Sequence, residues 1–311
     1  MFDFIKHRKI FAIISSVLIV FTILGSLIFK IDMDITFKGG TMLTYSHIEK
    51  LDMKAVDREV EAVLNKSVNV VSQVDTIKGK TTFVISLADS ITTEQQAAIT
   101  AAMQKTFAGN AVELEDSKVV SATMGGEFLG KCLMALGFAI VLLLVYIGFR
   151  FKKIGGWSTG IAGVIALIHD VIIAFFALLV FDLPIDANFM AVILTILGYS
   201  INDSIVIFDR LRENKRMLPR TTTDEELINI SLNQTFKRCI LTSVTTIMTM
   251  IVVTVVALIC NVDSILTFSV PMIVGLISGS YSSICITAVV WPFLNKYLGK
   301  KEKSKKKAKK A

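Results

Sequence analysis

Long apolar stretches, separated by shorter polar segments, run through most of the chain. Six of them reach the roughly 20 residues that a helix needs to cross the hydrocarbon core of a membrane. Basic residues precede the first stretch, but no small-x-small cleavage site follows it, which favours an uncleaved span over a signal peptide. The six predicted spans are residues 10–29, 130–149, 155–181, 187–208, 239–261 and 264–294.

The segment between the first two spans, residues 31–128, has short alternating patterns instead. Runs with a period of two predict strands, and runs with helical periodicity predict helices. Their order, βαββαβ, is typical of a ferredoxin-like sandwich. Thr92-Thr93-Glu94 is typical of a helix start and precedes the second predicted helix. The predicted elements are strands at 42–45, 68–75, 81–88 and 111–120, helices at 52–65 and 97–107, and a hairpin turn at Lys78-Gly79-Lys80. The predicted fold class is an α-helical polytopic membrane protein, with six transmembrane helices and one small external α+β domain between helices 1 and 2.

Composition and charge agree with this class and predict its orientation. Hydrophobic residues make up 53% of the 311 residues, and the mean hydropathy is +0.65, which is too apolar for a soluble domain. Residues 30–127 carry 10 basic and 14 acidic residues, whereas the whole chain has a formal charge of +7. The basic clusters outside that segment all fall on one side of a six-span arrangement, which the positive-inside rule makes cytoplasmic. Both termini are therefore expected in the cytoplasm.

The expected organisation has four parts. The C-terminal part is a run of like charges that is too polar to fold and is expected to lie near anionic lipid headgroups. Contact of this tail with ribosomal RNA is a weaker alternative, and no specific nucleic acid is expected as a partner. The parts are residues 1–30 (cytoplasmic N-terminus and transmembrane helix 1), 31–128 (external domain), 129–298 (five-helix membrane domain with a cytoplasmic loop at 209–238) and 299–311 (basic cytoplasmic tail).

The sequence lacks the motifs of common soluble enzymes. All four cysteines lie in or at the ends of apolar segments, which argues against a disulfide scaffold and against a thiolate metal site. The chain has only three histidines, and it contains no HExxH, no P-loop and no GxGxxG followed by an acidic residue. We therefore expect no catalytic residues, no cofactor, no metal and no enzyme activity.

Ionisable side chains inside the predicted spans are the main candidates for function, because they are costly to bury in a membrane. His169 and Asp170 fall near the middle of the third span. Asp203 follows Asn202 in the fourth span, six residues before Asp209 and so roughly 9 Å into the helix. An aspartate is too short to reach the interface from that depth. Asp203 is therefore a candidate for taking up and releasing a proton, whereas Asp170 can also be read as an interhelical hydrogen-bonding group that stays protonated.

Arg238 begins the fifth span and shares one helix face with three threonines. Taken singly, the arginine can also be a positive-inside residue at the interface, and each threonine can be a packing residue. Glycines in the third and sixth spans give flat faces for close helix neighbours. The threonines are Thr242, Thr245 and Thr249, and the small residues are Gly156, Gly160, Gly163, Gly275, Gly279 and Ser283.

At these residues the chain resembles the SecF family, the smaller membrane subunits of SecDF protein-translocation complexes within the resistance-nodulation-division superfamily. The resemblance covers nearly the whole chain and is most specific in the fourth span. It rests on Gly39-Gly40-Thr41 after span one, His169-Asp170, the run GYSIND ending at Asp203 and continuing into 208–214, and residues 233–238 before span five. One departure is that Asp34-Ile35-Thr36-Phe37 stands where family members carry Gly-Ile-Asp-Phe.

The resemblance implies a subunit that pairs with SecD in the bacterial cytoplasmic membrane to make a set of twelve spans. It also implies coupling of the proton-motive force to late, SecA-independent export of unfolded polypeptide through the SecYEG channel, with SecA as an indirect partner. The implied site comprises Asp203 and Arg238 as the proton path, Asn202, His169, Asp170 and Thr242 as candidate supporting residues, and Gly39, Gly40 and Thr41 as the external-domain motif.

Three other interpretations remain open from the residues. One is half of a proton-coupled small-molecule or lipid exporter of the same superfamily, which would be expected to carry two large external domains. Another is an intramembrane aspartyl protease, which would need the carboxyl groups of Asp170 and Asp203 to share one site. A scaffold that only stabilises SecD would not need Asp203 to titrate.

Overall fold

The computed structural model describes residues 2–28, 33–48, 51–64, 69–75, 80–219, 221–260 and 262–308. Six helical segments in these ranges are long and apolar enough to cross a membrane, which confirms the predicted polytopic fold. In chain order the elements are α1 (Arg8–Ile28), α2 (Ile35–Lys38), β1 (Gly40–His47), α3 (Met53–Leu64), β2 (Asn69–Asp75), β3 (Lys80–Leu87), α4 (Thr93–Thr106), β4 (Glu113–Val120), α5 (Ala122–Arg150), α6 (Gly156–Val180), α7 (Ala187–Met217), α8 (Asp224–Cys260), α9 (Asp263–Tyr281), a π-helical turn (Ser282–Ile286) and α10 (Thr287–Ala308). The sixth span runs from α9 through the π-helical turn into α10.

The α+β domain has the predicted ferredoxin-like arrangement. Its four antiparallel strands lie in the order β2-β3-β1-β4, and apolar residues of α3 and α4 pack with those of β1 and β3 in one core. Helix α4 begins as expected, because Thr92 and Gln95 form a reciprocal capping box. Within the core, the Tyr45 hydroxyl contacts Thr100 Oγ1 at 3.0 Å, and burial raises the pKa of Tyr45. The predicted turn at residues 78 and 79 lies outside the described residues.

Three helices continue beyond the apolar runs that predicted them. The connection expected at 209–238 is helical over residues 209–217 and 224–238, because α7 and α8 extend into it from both sides. The basic tail is likewise helical as far as Ala308, so the expectation that it does not fold is wrong. Lysine, alanine, arginine and glutamate are strong helix formers, and backbone hydrogen bonding continues a helix after its apolar face has ended.

The spans divide into an inner and an outer group. In an 18-residue apolar stretch of each helix, 50% of the residues are buried within the chain in α6, 56% in α7 and 61% in the sixth span, against 11% in each of α1, α5 and α8. Glycines allow close helix contacts, as predicted: a Cβ on Gly156 would lie 2.0 Å from the Gly148 carbonyl oxygen of the outer helix α5, and one on Gly275 of α9 would lie 2.1 Å from Ile196 Cδ1 of the inner helix α7. Polar residues on α6, α7 and α9 are thereby brought close together.

Candidate functional site

Asp203 lies on α7 and faces the interior of the helix bundle, with 3% of its surface exposed. Its Oδ2 accepts a hydrogen bond from Ser243 Oγ of α8 at 3.4 Å. Asn202 points the other way and is exposed, because successive residues of a helix are about 100° apart. The pair predicted from sequence is thus split between a buried carboxyl group and an exposed amide.

Arg238 lies at an exposed position of α8 and lines a cleft of about 680 Å³ between α7 and α8. Asn202 lines the same cleft. Its charged lining consists of four arginines, one of which is Arg238, and two carboxylates. Asp209, at the cleft, pairs with Arg150 at 3.1 Å and with Arg212 at 2.8 Å. No hydrogen bond joins Arg238 to Asp203 among the described residues, where the Asp203 carboxyl group has Ser243 as its partner. Asp203 itself does not line this cleft, but Asn202, the residue before it, does.

The threonine face predicted on α8 does not reach Asp203. Thr242, Thr245 and Thr249 are exposed, and their hydroxyls donate to carbonyl oxygens of their own helix at 2.8–3.0 Å. They share the outward face of α8 with Arg238, as expected. The hydroxyl that contacts Asp203 belongs instead to Ser243, on the inward side of α8.

Asp170 is the centre of a second, denser polar cluster between α6, α7 and the sixth span. Its side chain is 0% exposed. Ser278 Oγ donates to Oδ1 at 2.7 Å, while Ser200 and Ser282 donate to Oδ2 at 2.7 and 2.8 Å. His169 Nδ1 lies 3.3 Å from Oδ1. Asp170 therefore links three spans through its carboxyl group, as the hydrogen-bonding alternative expected.

The π-helical turn and a glycine shape this cluster. Ser278 and Ser282, one turn apart, both face Asp170, and the next residue, Ser283, donates to the Ser200 carbonyl oxygen at 3.1 Å. A Cβ on Gly279 would lie 3.1 Å from Ser200 Cβ and 3.6 Å from Asp170 Oδ2. A π-turn in a helix frequently marks a functional position. The first two serines of this turn donate to different acceptors: Ser282 donates to Asp170, and Ser283 donates to the Ser200 carbonyl oxygen.

Sequence reasoning missed the serines whose hydroxyls contact the carboxyl groups of Asp170 and Asp203. Ser200 lies three residues before Asp203 in the same motif, and Ser278 and Ser282 are spaced by four in an otherwise apolar span. Polar residues at i and i+4 in an apolar helix share one face, so this spacing was an available signal. Ser243 carried no comparable signal, since it stands next to the more regular threonine row.

The Gly39-Gly40-Thr41 motif lies at the junction of the α+β domain with α5. Gly39 has φ +79°, and a Cβ there would lie 2.5 Å from Ala122 Cα. Thr41 Oγ1 donates to the Asp89 carbonyl oxygen at 3.0 Å and accepts from the Ile91 N–H at 3.1 Å. The motif thus allows the start of β1 to lie directly against the start of α5.

The displaced acidic residue before this motif has a local role. Asp34 Oδ1 accepts from the Thr36 N–H at 2.9 Å as the N-cap of α2. Its own N–H donates to the Ile185 carbonyl oxygen at 3.0 Å, which ties this segment to the α6–α7 connection. Within the described ranges, no three His, Cys, Asp or Glu side chains are grouped so that they could hold a metal ion.

The fold and the site define a class: a multi-pass membrane protein with carboxyl groups buried between its inner helices. Residues 98–297 match the family described as "Protein export membrane protein SecD/SecF, C-terminal". The chain is 31% identical over 305 residues to the protein translocase subunit SecF of Sebaldella termitidis, which covers 97% of this chain and 95% of that protein. It is 33% identical over 273 residues to SecF of Pseudomonas aeruginosa, covering 88% and 85%. The chain belongs to the SecD/SecF family.

Longer relatives contain a region similar to the whole chain. The protein translocase subunit SecDF of Bacillus subtilis is 34% identical over 296 residues, which is 93% of this chain but 37% of that protein. The crystal structure of SecDF from Thermus thermophilus has a TM-score of 0.75 at 26% identity and covers 93% of this chain and 38% of that chain. The chain therefore corresponds to somewhat more than a third of these proteins.

Proposed function

We propose that this chain is the SecF subunit of a Sec protein translocase, which works with a SecD partner to couple the proton-motive force to late export of polypeptide through SecYEG. SecA acts indirectly, before the step that this subunit assists. The observation that carries the proposal is Asp203, a carboxyl group buried in a membrane helix beside a polar cleft that Arg238 lines. Such a group can bind a proton from one side of the membrane and bias the helices around it.

The roles of the residues follow from their positions. Asp203 carries the proton, and Arg238 supplies the positive charge that favours its return to the ionised form. Asn202 lines the entry route, and Thr242 belongs to the outer face of α8 and contributes no hydrogen bond to Asp203. One charge moved through 100 mV releases about 2.3 kcal/mol, which biases a conformational equilibrium roughly fifty-fold.

A SecD partner is supported by the outer surface of α8. Leu241, Met248 and Val252 are each about 60% exposed there, and lipid could cover these side chains. Lipid is a poor partner for the charge of Arg238, and the small hydroxylated threonines in the same row favour close contact between helices. We infer that this face packs against spans of SecD.

The orientation that we propose places both termini in the cytoplasm and the α+β domain outside the bacterial cytoplasmic membrane, where unfolded polypeptide emerges. It is supported by the distribution of basic residues. The basic tail would then lie against anionic lipid on the cytoplasmic face. To test this, the four native cysteines are replaced and one cysteine is introduced at a time. Glu61→Cys should react with an impermeant thiol reagent on intact cells, and Lys215→Cys should not; the reverse pattern would refute the orientation.

The competing functions fit the geometry less well. An aspartyl protease needs two carboxyl groups at one site, whereas Asp170 and Asp203 have separate sets of partners, Asp170 with the serines of α7 and α9 and Asp203 with Ser243. The exporter alternative is not favoured, because the relatives are named as subunits of a protein translocase. A transport role without an enzymatic reaction is the proposal.

The decisive experiment is Asp203→Asn, which keeps the size of the side chain and its hydrogen-bonding capacity but removes titration. Export of a slow precursor is measured in inverted vesicles that contain the chain and its SecD partner, with and without an uncoupler. We expect normal assembly and loss of the uncoupler-sensitive component. The control is Asp116→Asn, an exposed residue of β4. A variant that retains uncoupler-sensitive export would instead favour the scaffold interpretation.

A further inference from the structure

The Asp170 cluster has a property that its role as a helix joint does not require. Ser282 Oγ lies 2.8 Å from Asp170 Oδ2 and 3.2 Å from the Gly279 carbonyl oxygen. When Asp170 is ionised, Ser282 donates its proton to the carboxylate. When Asp170 is protonated at Oδ2, it can donate to Ser282 Oγ while Ser282 donates to Gly279. Both protonation states therefore leave every hydrogen of these groups paired, as a buried polar network requires.

Hydroxyl groups connect this cluster to the neighbourhood of Asp203. Ser200 Oγ, which donates to Asp170, lies 3.5 Å from Ser283 Oγ, and Ser204 Oγ donates to Ser283 Oγ at 3.2 Å. Ser204 directly follows Asp203, and all these side chains are buried. A hydroxyl can accept one proton and release another, so a proton can pass along this file without any net change in the serines.

His169 gives the cluster a second boundary. Its Nε2 is buried and has no hydrogen-bond partner among the described residues. The side chain borders a cavity of about 330 Å³ that Ser15 and Ser16 of α1 also line. That space is large enough for water, and polar groups stand at its wall. Asp170 Oδ2 therefore contacts the row of serine hydroxyls, beginning with Ser200, and Asp170 Oδ1 contacts His169.

We propose that Asp170 is a second proton-binding site, which exchanges protons with Asp203 through the hydroxyls of Ser204, Ser283 and Ser200. In one direction, Ser200 gives its proton to Asp170 and takes one from Ser283, which turns from the Ser200 carbonyl oxygen and takes one from Ser204. No hydrogen bond joins Ser204 to Asp203 among the described residues, so the last transfer requires the Asp203 carboxyl group to turn from Ser243 toward Ser204 as it releases its proton. The inference rests on the proposed role of Asp203.

Few other ionisable groups lie in the membrane-spanning parts of the helices around Asp170. His169 belongs to the same helix, Tyr199 and Asp203 belong to α7, and Tyr281 and Cys285 belong to the sixth span. Helix α1 has no ionisable side chain between residues 10 and 28, and α5 has none between residues 133 and 145. A carboxyl group that changes protonation in this part of the protein can therefore be assigned by substitution.

Two variants test the proposal in the complex with SecD. Asp170→Asn removes the proton site, while Ser283→Ala interrupts the file and leaves the three hydroxyls on Asp170 in place. Ser280→Ala is the matched control, because this buried serine donates only to the Leu276 carbonyl oxygen of its own helix. Assembly with SecD is checked by copurification. Export in inverted vesicles with and without uncoupler is the first readout, and the infrared band of protonated carboxyl groups, followed over pH, is the second.

We expect Asp170→Asn and Ser283→Ala to lose the uncoupler-sensitive export, as Asp203→Asn does, with Ser280→Ala unchanged. We also expect Asp170→Asn to lose one pH-dependent carboxyl band that Ser283→Ala retains. If both variants keep uncoupler-sensitive export while Asp203→Asn loses it, the second site is refuted and the proposed function stands. If Asp203→Asn keeps it as well, the proposed function fails. An unchanged carboxyl band in Asp170→Asn also overturns the proposal.

Discussion

Asp170 and Asp203 are both buried aspartates in neighbouring inner helices, yet their surroundings differ. Three serine hydroxyls lie within 2.8 Å of the Asp170 carboxyl group, whereas Asp203 has one hydroxyl at 3.4 Å. Asp203 stands one residue from a side chain that lines the cleft of α7 and α8. Asp170 is enclosed by helices and has 0% exposure. The Asp170 carboxyl group thus has several short hydrogen bonds and is fully enclosed, whereas the Asp203 carboxyl group has one long hydrogen bond and lies near a polar cleft.

This difference separates two requirements of a proton-driven protein. A proton must have access to its binding site, and its binding must change the packing of helices. Under the function proposed above, the single donor and the nearby cleft would give Asp203 this access at a small structural cost. Many donors from several spans make the protonation state of Asp170 matter for packing, because buried networks are either satisfied or costly. We infer that access and coupling are divided between the two positions.

The largest expected effect comes from removing the two carboxyl groups in turn. Asp170→Ala leaves three hydroxyls without their acceptor, and interhelical hydrogen bonds in membranes average about 0.6 kcal/mol and reach about 1.7. We expect a loss of about 2–4 kcal/mol in the stability of the purified complex, measured as thermal inactivation in detergent. Asp203→Ala should cost less than about 1 kcal/mol by the same measure. Equal losses would contradict the comparison.

A second test crowds the dense cluster without changing its polar groups. Gly279→Ala places a Cβ 3.1 Å from Ser200 Cβ, so α7 and α9 must move apart or Ser200 must shift. Overpacking of this kind costs about 1–3 kcal/mol, and thermal inactivation of the complex in detergent will measure it. Gly137→Ala in α5 is the control, because nothing lies within 4 Å of its added Cβ. A Gly279→Ala protein as stable as the control would show that the cluster is loosely packed.

The third prediction concerns the charge beside Asp203. Arg238→Gln removes it and should lower uncoupler-sensitive export about two- to fivefold, because interactions of exposed charges are weak. Arg238→Lys should retain most of the export, since no bidentate carboxylate partner for the guanidinium occurs in the described residues. A severe defect in Arg238→Lys would mean that the planar group contacts the SecD partner.

The smallest effect is expected at Ser243. Ser243→Ala removes the 3.4 Å hydrogen bond to Asp203, which is worth roughly 0.6 kcal/mol. Ser282→Ala removes the shorter bond to Asp170 and should destabilise the complex more. Thermal inactivation of the two variants, side by side, measures the difference. A larger loss in Ser243→Ala would reverse our ranking of the two sites.

Much of the architecture was readable from local pattern. The spans, the βαββαβ order and the capping of α4 at Thr92 depend on hydrophobic periodicity and on residues within one turn of each other. Asp203, Asp170 and Arg238 could be selected because an ionisable residue in an apolar run is costly wherever the helix lies. The helical ends of α7 and α8 were missed, because the predictions followed apolarity and ignored the helix propensity of charged residues.

Which side chains meet was decided by packing between segments distant in sequence. Ser278 and Ser282 reach Asp170 across more than 100 positions, and Gly279 and Gly275 set how closely α9 approaches α7. The threonine row of α8 has the more regular pattern, yet Ser243 faces Asp203 because the rotation of α8 about its axis places that side inward. Periodicity along one helix specifies which residues share a face. The direction of that face depends on the neighbouring helices, and only the folded bundle fixes it.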